Sequence, residues 1–328
     1  MSRSSLRSHS SYRVFSDKFT NQPELFQPSS KGPLSLTVGN FDGFHRGHQA
    51  LLGASVRWAQ QKKGQSWVLS FDPHPTQFLK DPHFSLLFDR KDQWERARNG
   101  GAEGLLLGDF DEDFSKLSAI DFLNIFIKQQ LQPKHLVVGY NFGFGHRREG
   151  NLALLQDWAS QEGIAVEVVP GLSWKGQSLS SSAIRSSLAR GEVQTARDFL
   201  GRPFYLRGEV IQGFQRGRLI SFPTANLKPT VSFVPQAGVY VTQVRLTNDS
   251  QIRRSVTNIG MNPTVSGDGR IKIETHILDF NADIYGKNIA VEFLEFIRAE
   301  KKFSNLDELK NQIGEDAHFA QSWKDLNS

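Results

Sequence analysis

Cysteine is absent from the 328 residues and methionine occurs only twice. Disulfides and thiolate metal sites are therefore excluded, and any divalent ion has to sit on oxygen or imidazole ligands. Long apolar runs are missing too: the longest are strand-sized, short of the roughly 18 residues that a membrane-crossing helix requires. The opening MSRSSLRSHSSYRVF carries basic and Ser residues but no apolar centre, which argues against a secretory signal. As an organelle transit segment it is too short and generic to weigh, so a cytoplasmic protein without a membrane partner is the expectation. There is also no basic stripe. Lys plus Arg number 39 against 34 Asp plus Glu, a net charge of +5, and the excess is spread along the chain, whereas polynucleotide binders concentrate theirs. The charge suits an anionic small molecule at least as well as a nucleic acid.

At roughly 150 residues per domain the length favours two domains, and 38% hydrophobic with 22% charged residues is a globular composition. Residues 1–33 are Ser-rich and are expected to form a partly disordered extension. From residue 34 short apolar runs alternate with amphipathic ones. LSLTVG (34–39), WVLSF (67–71), GLLLG (104–108), HLVVG (135–139) and IAVEVV (164–169) read as strands. Helices are predicted between them at about 48–63, 90–99, 118–131 and 151–162, the third capped by Ser118 with Asp121 three residues on. Continuous apolar strands separated by helices predict an α/β domain with a parallel sheet covered on both faces, over 34–201. After Gly201 the strand-like runs 204–213, 238–246, 253–260, 270–280 and 288–298 follow one another without helices. They predict an antiparallel sheet or small barrel over 202–328. It closes with a helix in SNLDELKNQI, where Ser304 and Asp307 form a capping pattern.

Three segments carry candidate chemistry. VGNFDGFHRGH (38–48) joins the first strand to the first helix, where open α/β sheets bind ligands. Gly39 and Gly43 allow close approach of the backbone, and His45 and His48 flank Gly47 at the helix start, a cluster of donors suited to phosphate oxygens. SSSAIRSSLARG (180–191) sets Ser180, Ser181 and Ser182 ahead of a helix with Arg185 in its first turn, a second phosphate-binding pattern. GFQRGRLISFPTANL (213–227) places Gly213, Arg216, Arg218, Thr224 and Asn226 together. Thr224 and Asn226 alternate, so their oxygens share a side of an extended segment, as a hard ion such as Mg²⁺ would use. In IKIETHILDF, Ile271, Ile273 and Ile277 line one face and Glu274, His276, Leu278 and Phe280 the other, and Glu274 could act as a base toward an alcohol. Taken one at a time, each has a bland alternative: a capping and a surface histidine, a Ser N-cap, a structural turn, a surface glutamate.

Their conjunction and order resemble the bacterial bifunctional riboflavin kinase/FAD synthetase family from about residue 34 to 323. The marks are VGNFDGFHRGH, SFDPHP (70–75), VVGYNFGFGHRREGN (137–151), SSSAIR, the run 201–227, GVY (238–240), NIGMNPT (258–264), ETHILDF, DIYG (283–286) and FIRAEKKF (296–303). The resemblance implies a Rossmann-like HxGH nucleotidylyltransferase domain that adenylylates FMN. It also implies a six-stranded flavokinase barrel with a terminal helix that phosphorylates riboflavin. It assigns His45, His48, Gly39, Phe41, Gly47, Asn141, Ser181, Ser182 and Arg185 to the nucleotidyl-transfer site. On the kinase side it assigns Glu274 as base, Gly213 and Arg218 to nucleotide, Thr224 and Asn226 to Mg²⁺ and ATP phosphates, and Arg298 to flavin. Riboflavin, FMN and ATP are the implied partners, FAD the final product, and a monomer or weak homo-oligomer the expected state. Ser221, Asn262, Val265 and Asn151 depart from the family pattern and put affinity and loop geometry in question more than reaction type. Two alternatives stand beside this reading: retention of one activity only, the kinase being the more exposed through Ser221 and Asn262, and a nucleic-acid-binding barrel. The second calls for exposed aromatics interleaved with basic residues, whereas most Phe residues here have apolar neighbours.

Overall fold

The computed structural model describes residues 12–15, 32–212, 222–247, 249–262 and 270–324. The chain divides into two compact units, Met1–Leu179 and Ser180–Ser328.

The first unit carries, in chain order, β1 (Tyr12–Phe15), β2 (Leu34–Val38), α1 (Arg46–Gln61), β3 (Gln65–Asp72), α2 (Pro75–Leu79), α3 (Arg90–Asn99), β4 (Gly104–Asp109) and α4 (Glu112–Ser115). Then come α5 (Ala119–Asp121), β5 (His135–Gly139), α6 (Leu152–Glu162), β6 (Ala165–Val169) and a small hairpin, β7 (Ser173–Trp174) with β8 (Gln177–Ser178). The sheet order is β1-β4-β3-β2-β5-β6. The five predicted strands are present and parallel. β1 is an addition to them: within the extension, four residues rich in β-formers lie antiparallel along β4. The helix predicted over 118–131 begins at the Ser118 cap, whose Oγ accepts from Asp121 N–H at 3.1 Å, and runs on from α5 as a π-helical stretch, Phe122–Leu131.

Alternation along the strands divides the core. Leu36, Val38, Leu69, Phe71, Leu106, Leu136 and Val138 face Phe122, Phe126, Leu155 and Trp158 on one side of the sheet. Val68, Leu105, Leu107 and Val137 face Phe41, Phe44, Leu52 and Trp94 on the other. Among the described residues of this unit, Phe41, Phe44, Phe71, Phe122, Phe126 and Phe144 are buried in these two cores. Across the second face runs a buried polar chain: Ser66 Oγ meets Ser55 Oγ, Ser55 meets Ser35, and Ser35 meets His135 Nδ1, each at 2.8 Å. It ties β3, α1, β2 and β5 together where apolar contacts alone would leave sliding freedom.

The second unit opens with α7 (Ser181–Ala189) and α8 (Val193–Leu200). The change in sequence style comes after Gly201, yet packing divides the chain ahead of α7, because Val193, Ala196, Phe199 and Leu200 are buried and α8 lies against barrel strands. The barrel comprises β9 (Phe204–Ile211), β10 (Ala225–Pro229), β11 (Gly238–Leu246), β12 (Ile252–Asn262), β13 (Arg270–Ile277) and β14 (Asn288–Arg298). It closes in the order β10-β13-β12-β11-β14-β9, every pairing antiparallel. β10 grows out of the end of the PTAN segment, where Thr224 and Asn226 are expected in extended backbone. Thr242, Ser255, Thr257 and Thr275 form a fully buried hydroxyl chain with contacts of 2.7–2.9 Å. The last helix, α9 (Leu306–Ser322), covers Val239, Val241 and Val256 through Ala320. Its cap is Asn305, which accepts from Glu308 N–H at 2.9 Å. The predicted Ser304/Asp307 cap is thus one residue out; Asn is as good an N-cap as Ser, and here it stands three residues before Glu308.

Burial holds His135 down at a pKa of about 4. The Glu167 carboxylate, 3.7 Å away and 45% exposed, does not offset it. In the unfolded chain this imidazole takes up a proton near pH 6.5, so the unfolded state binds more protons between about pH 4 and 6.5 and stability falls as pH drops through that window. Urea unfolding of the first unit should lose on the order of 1 kcal/mol per pH unit there, and His135→Gln should flatten the dependence.

Candidate active sites

In the first unit the chain fills β2, β3 and β4, then crosses back to β5 and β6 on the other side of β2. The strand order therefore reverses between β2 and β5, and ligands bind at the carboxyl ends of strands at such a point. The segment after β2 holds Gly39, Phe41, His45, Gly47 and His48; the segment after β5 holds Asn141, which is exposed.

The turn after β2 is shaped by backbone in the left-handed region. Phe41, Gly43 and Phe44 have φ of 47°, 83° and 44°. The two Phe rings are buried at 1% and 3% exposure and close over His48, with ring centroids 4.9 and 6.4 Å away. Asp42 Oδ1 accepts from Leu87 N–H at 2.9 Å, anchoring the middle of the turn. His45 caps α1: its Nδ1 accepts from His48 N–H at 3.3 Å. Its ring stacks on that of His48 at 3.7 Å and 16°. A Cβ on Gly47 would lie 3.0 Å from the His45 ring, which explains glycine there.

Both imidazoles present the same face of their chemistry. His45 Nδ1 is an acceptor, so its proton sits on Nε2. His48 Nδ1 is enclosed without a partner, so the tautomer with Nε2–H is the one that avoids burying an unpaired donor. His48 as a residue is half-buried, and Nε2 is the nitrogen left to donate to a ligand. Enclosure, and then the adjacent His45, push the His48 pKa well below 6.5. The pair is thus two neutral N–H donors side by side, suited to oxygens of a bound phosphate. The capping role that a lone His45 suggested is real and coexists with this.

Ser181, Ser182 and Arg185 lie on α7, in the other unit. Ser180 is the cap, accepting from Ala183 N–H at 3.1 Å, Ser182 is exposed, and the Arg185 guanidinium sits 5.5 Å from the Phe233 ring centre. Asn151, a departure from the family pattern, caps α6 by accepting from Leu154 N–H at 3.0 Å, as Asp would.

In the barrel, Asn226 on β10 pairs directly with Glu274 on β13, and Asn258 on β12 pairs with Glu274 from the other side. Directly opposed residues project to one face, so the carboxylate stands between two carboxamides. Asn258 lies within a recognised segment but carries no assignment from the sequence, because only the register reveals it. The neighbours of Glu274 are more polar than the sequence suggested: Lys272 Nζ is 2.7 Å from its Oε1, and Ile271 is 46% exposed at the strand start while Ile273, Thr275 and Ile277 line the interior. His276 Nδ1 contacts Pro223 O at 2.8 Å, holding the segment that carries Thr224 against β13. Gly213, Arg216, Arg218, Ser221 and Val265 lie outside the described residues, as does the side chain of Asn262.

Arg298 reaches α9. Its Nε and Nη2 bond Asp316 at 3.0 and 2.7 Å, and Asp316 is 3% exposed. Removing the cation leaves a buried carboxylate unpaired, so Arg298→Ala should weaken the second unit by about 3 kcal/mol. Replacing both partners, Arg298→Met with Asp316→Leu, should recover most of that loss in urea titrations.

Comparison with known proteins gives two family matches in order, FAD synthetase over residues 27–183 and riboflavin kinase over 200–324. A bifunctional riboflavin kinase/FMN adenylyltransferase of Pseudomonas fluorescens is 34% identical over 90% of this chain and 94% of its own. That of Escherichia coli K12 is 36% identical over 86% and 90%. A crystal structure described as a macrolide-efflux protein from Streptococcus pneumoniae matches with a TM-score of 0.83 and 31% identity over 90% of this chain and 96% of that one. Efflux is said of that protein alone; among the described residues here, no helix is long and apolar enough to cross a membrane. With both matched families in one chain and both halves of its curated relatives covered, the protein belongs to the bifunctional riboflavin kinase/FMN adenylyltransferase family.

Proposed function

We propose that the two activities are carried by the residues just described, the kinase on the barrel and the adenylyl transfer on the sheet unit. The chain phosphorylates riboflavin to FMN and adenylylates FMN to FAD, with ATP as co-substrate of both steps. The observation that carries this reading is that each activity's family model falls on its own stretch of the chain, in the order its full-length relatives share.

In the first reaction the ribityl 5′-oxygen attacks the γ-phosphate of ATP, the bond from that phosphorus to the β,γ-bridging oxygen breaks, and ADP leaves. Glu274 takes the hydroxyl proton, and Asn226 and Asn258 beside it orient the carboxylate or the alcohol. The Lys272 ammonium, 2.7 Å from Glu274 Oε1, fixes the position of the carboxylate. Gly213 and Arg218 would contact the nucleotide and Arg298 the flavin. Mg²⁺ would be held by Thr224 and Asn226. Their neutral oxygens fit an ion completed by phosphate oxygens, and among the described residues no cluster of three His, Asp or Glu offers a cage of its own. When bound, that ion would neutralise phosphate charge.

In the second reaction an FMN phosphate oxygen attacks the α-phosphate of another ATP and pyrophosphate leaves. No proton moves, so the demand on the protein is positioning and charge stabilisation. The Nε2–H groups of His45 and His48 supply donors, Gly39 and Gly47 leave room, and Phe41 and Asn141 add nucleotide contacts in the same unit; Ser181, Ser182 and Arg185 are nucleotide-binding residues by resemblance. Small molecules are the proposed partners, in a cytoplasmic monomer or weak homo-oligomer. A nucleic-acid role is disfavoured: among the described residues of the second unit, Phe319 is the one strongly exposed aromatic, and it sits on α9 instead of the barrel strands.

Incubation with riboflavin, ATP and Mg²⁺, with flavins resolved by chromatography, tests the assignment. Glu274→Gln should lower FMN formation by about 10²–10⁴-fold and leave FMN-to-FAD conversion intact. His48→Ala should do the reverse, and equal loss of both activities in either variant would overturn the two-site reading.

A further inference from the structure

Gln93 belongs to α3 and carries no motif, yet it is buried at 5% exposure with both polar atoms of its side chain engaged. Its Oε1 accepts from Arg90 Nη1 at 2.8 Å. Its Nε2 donates to the Asn40 carbonyl and to Ser70 Oγ, both at 3.3 Å. Ser70 Oγ in turn donates to the same Asn40 carbonyl at 2.9 Å. Arg90 is itself held by Phe71 O at 2.7 Å and Asp72 Oδ1 at 2.8 Å. Since a guanidinium only donates, it commits Gln93 Oε1 to its side, and the amide nitrogen must then face Asn40.

Asn40 is the residue between Gly39 and Phe41 in the turn after β2. The Asn40–Phe41 peptide is trans, so its carbonyl and its N–H point in opposite directions. Two donors draw the carbonyl toward β3 and α3, and the Phe41 N–H is turned the other way. That N–H makes no hydrogen bond among the described residues. Phe41 has φ of 47°, a conformation an L-residue leaves readily unless it is held.

We propose that Gln93, with Ser70, is a positioning residue for adenylyl transfer: together they lock the Asn40–Phe41 peptide so that the Phe41 N–H is a fixed donor to the α-phosphate as it is attacked. The inference rests on the reading of the His45/His48 turn as the adenylyl-transfer site. Negative charge on the non-bridging α-phosphate oxygens is redistributed as the FMN oxygen bonds and pyrophosphate departs. A donor held in place before the reaction acts mainly on the rate of that step, while a donor free to swing binds ATP without accelerating it.

The full-length protein with FMN, ATP and Mg²⁺ provides the test. Gln93→Glu keeps shape and the Arg90 contact but sets an acceptor against the Asn40 carbonyl. Its kcat for FAD formation should fall by about 10- to 100-fold, with KM for ATP and FMN changed less than about threefold. Ser70→Ala, which removes the second donor and is mild enough to fold, should show a smaller kcat loss with the same constancy of KM. Riboflavin phosphorylation by the same preparations should be unchanged. Unaltered kcat in Ser70→Ala and Gln93→Glu, or a loss confined to KM, overturns the proposal. An unaltered protein that makes no FAD overturns the site reading itself, which is a separate result; should Gln93→Glu not fold, Ser70→Ala decides alone.

Discussion

The first site depends on the burial of two aromatic rings at the cost of an unfavourable backbone. Phe41 and Phe44 adopt left-handed φ values, at about 1–2 kcal/mol each for a residue with a Cβ. Enclosing a Phe ring contributes roughly 2–3 kcal/mol, enough to hold the turn. The turn so held delivers His45 to the helix cap and presses His48 between its partner and the rings, where burial makes the His48 imidazole slow to accept a proton. A loop with smaller side chains could trace the same path but would lack the ring burial that offsets its left-handed backbone. The strain and the chemistry therefore have one cause.

The barrel site depends on register. Glu274 faces Asn226 and Asn258 because β13 pairs with β10 and β12 at those residues, and a slip of one position would turn the carboxylate inward. The buried hydroxyl chain from Thr242 to Thr275 opposes such a slip, since each hydroxyl would then exchange a partner for an apolar wall. Thr275, next to Glu274, belongs to that chain and also pairs with Ala225 in β10. Interior hydrogen bonding and the outward-facing site are thus successive residues of one strand.

Much of this is legible in the sequence. Period-two and helical patterning locate the five parallel strands and their helices, and the glycines and histidines of 38–48 mark the first site. The features that escape such a reading are set by distant partners. Gln93 looks like any helical glutamine until Ser70 and Asn40 are brought beside it. Asn258 gains meaning only from pairing. Arg298, assigned to flavin by resemblance, also meets Asp316 across 18 positions, a contact no local pattern announces. The helices α7 and α8 follow the barrel in packing although their sequence style matches the preceding domain, because a buried face such as Val193, Ala196 and Phe199 says that it needs a cover and not which one.

The short strand β1 lies along the outer edge of β4. Parallel sheets leave each edge strand with a row of unused amides and carbonyls, and such a row recruits any extended chain that meets it. A protein that retains Tyr12–Phe15 therefore carries its own edge cover on one side of the sheet. One trimmed past Phe15 would keep every residue named in either site and would offer the backbone of Leu105–Gly108 to its neighbours.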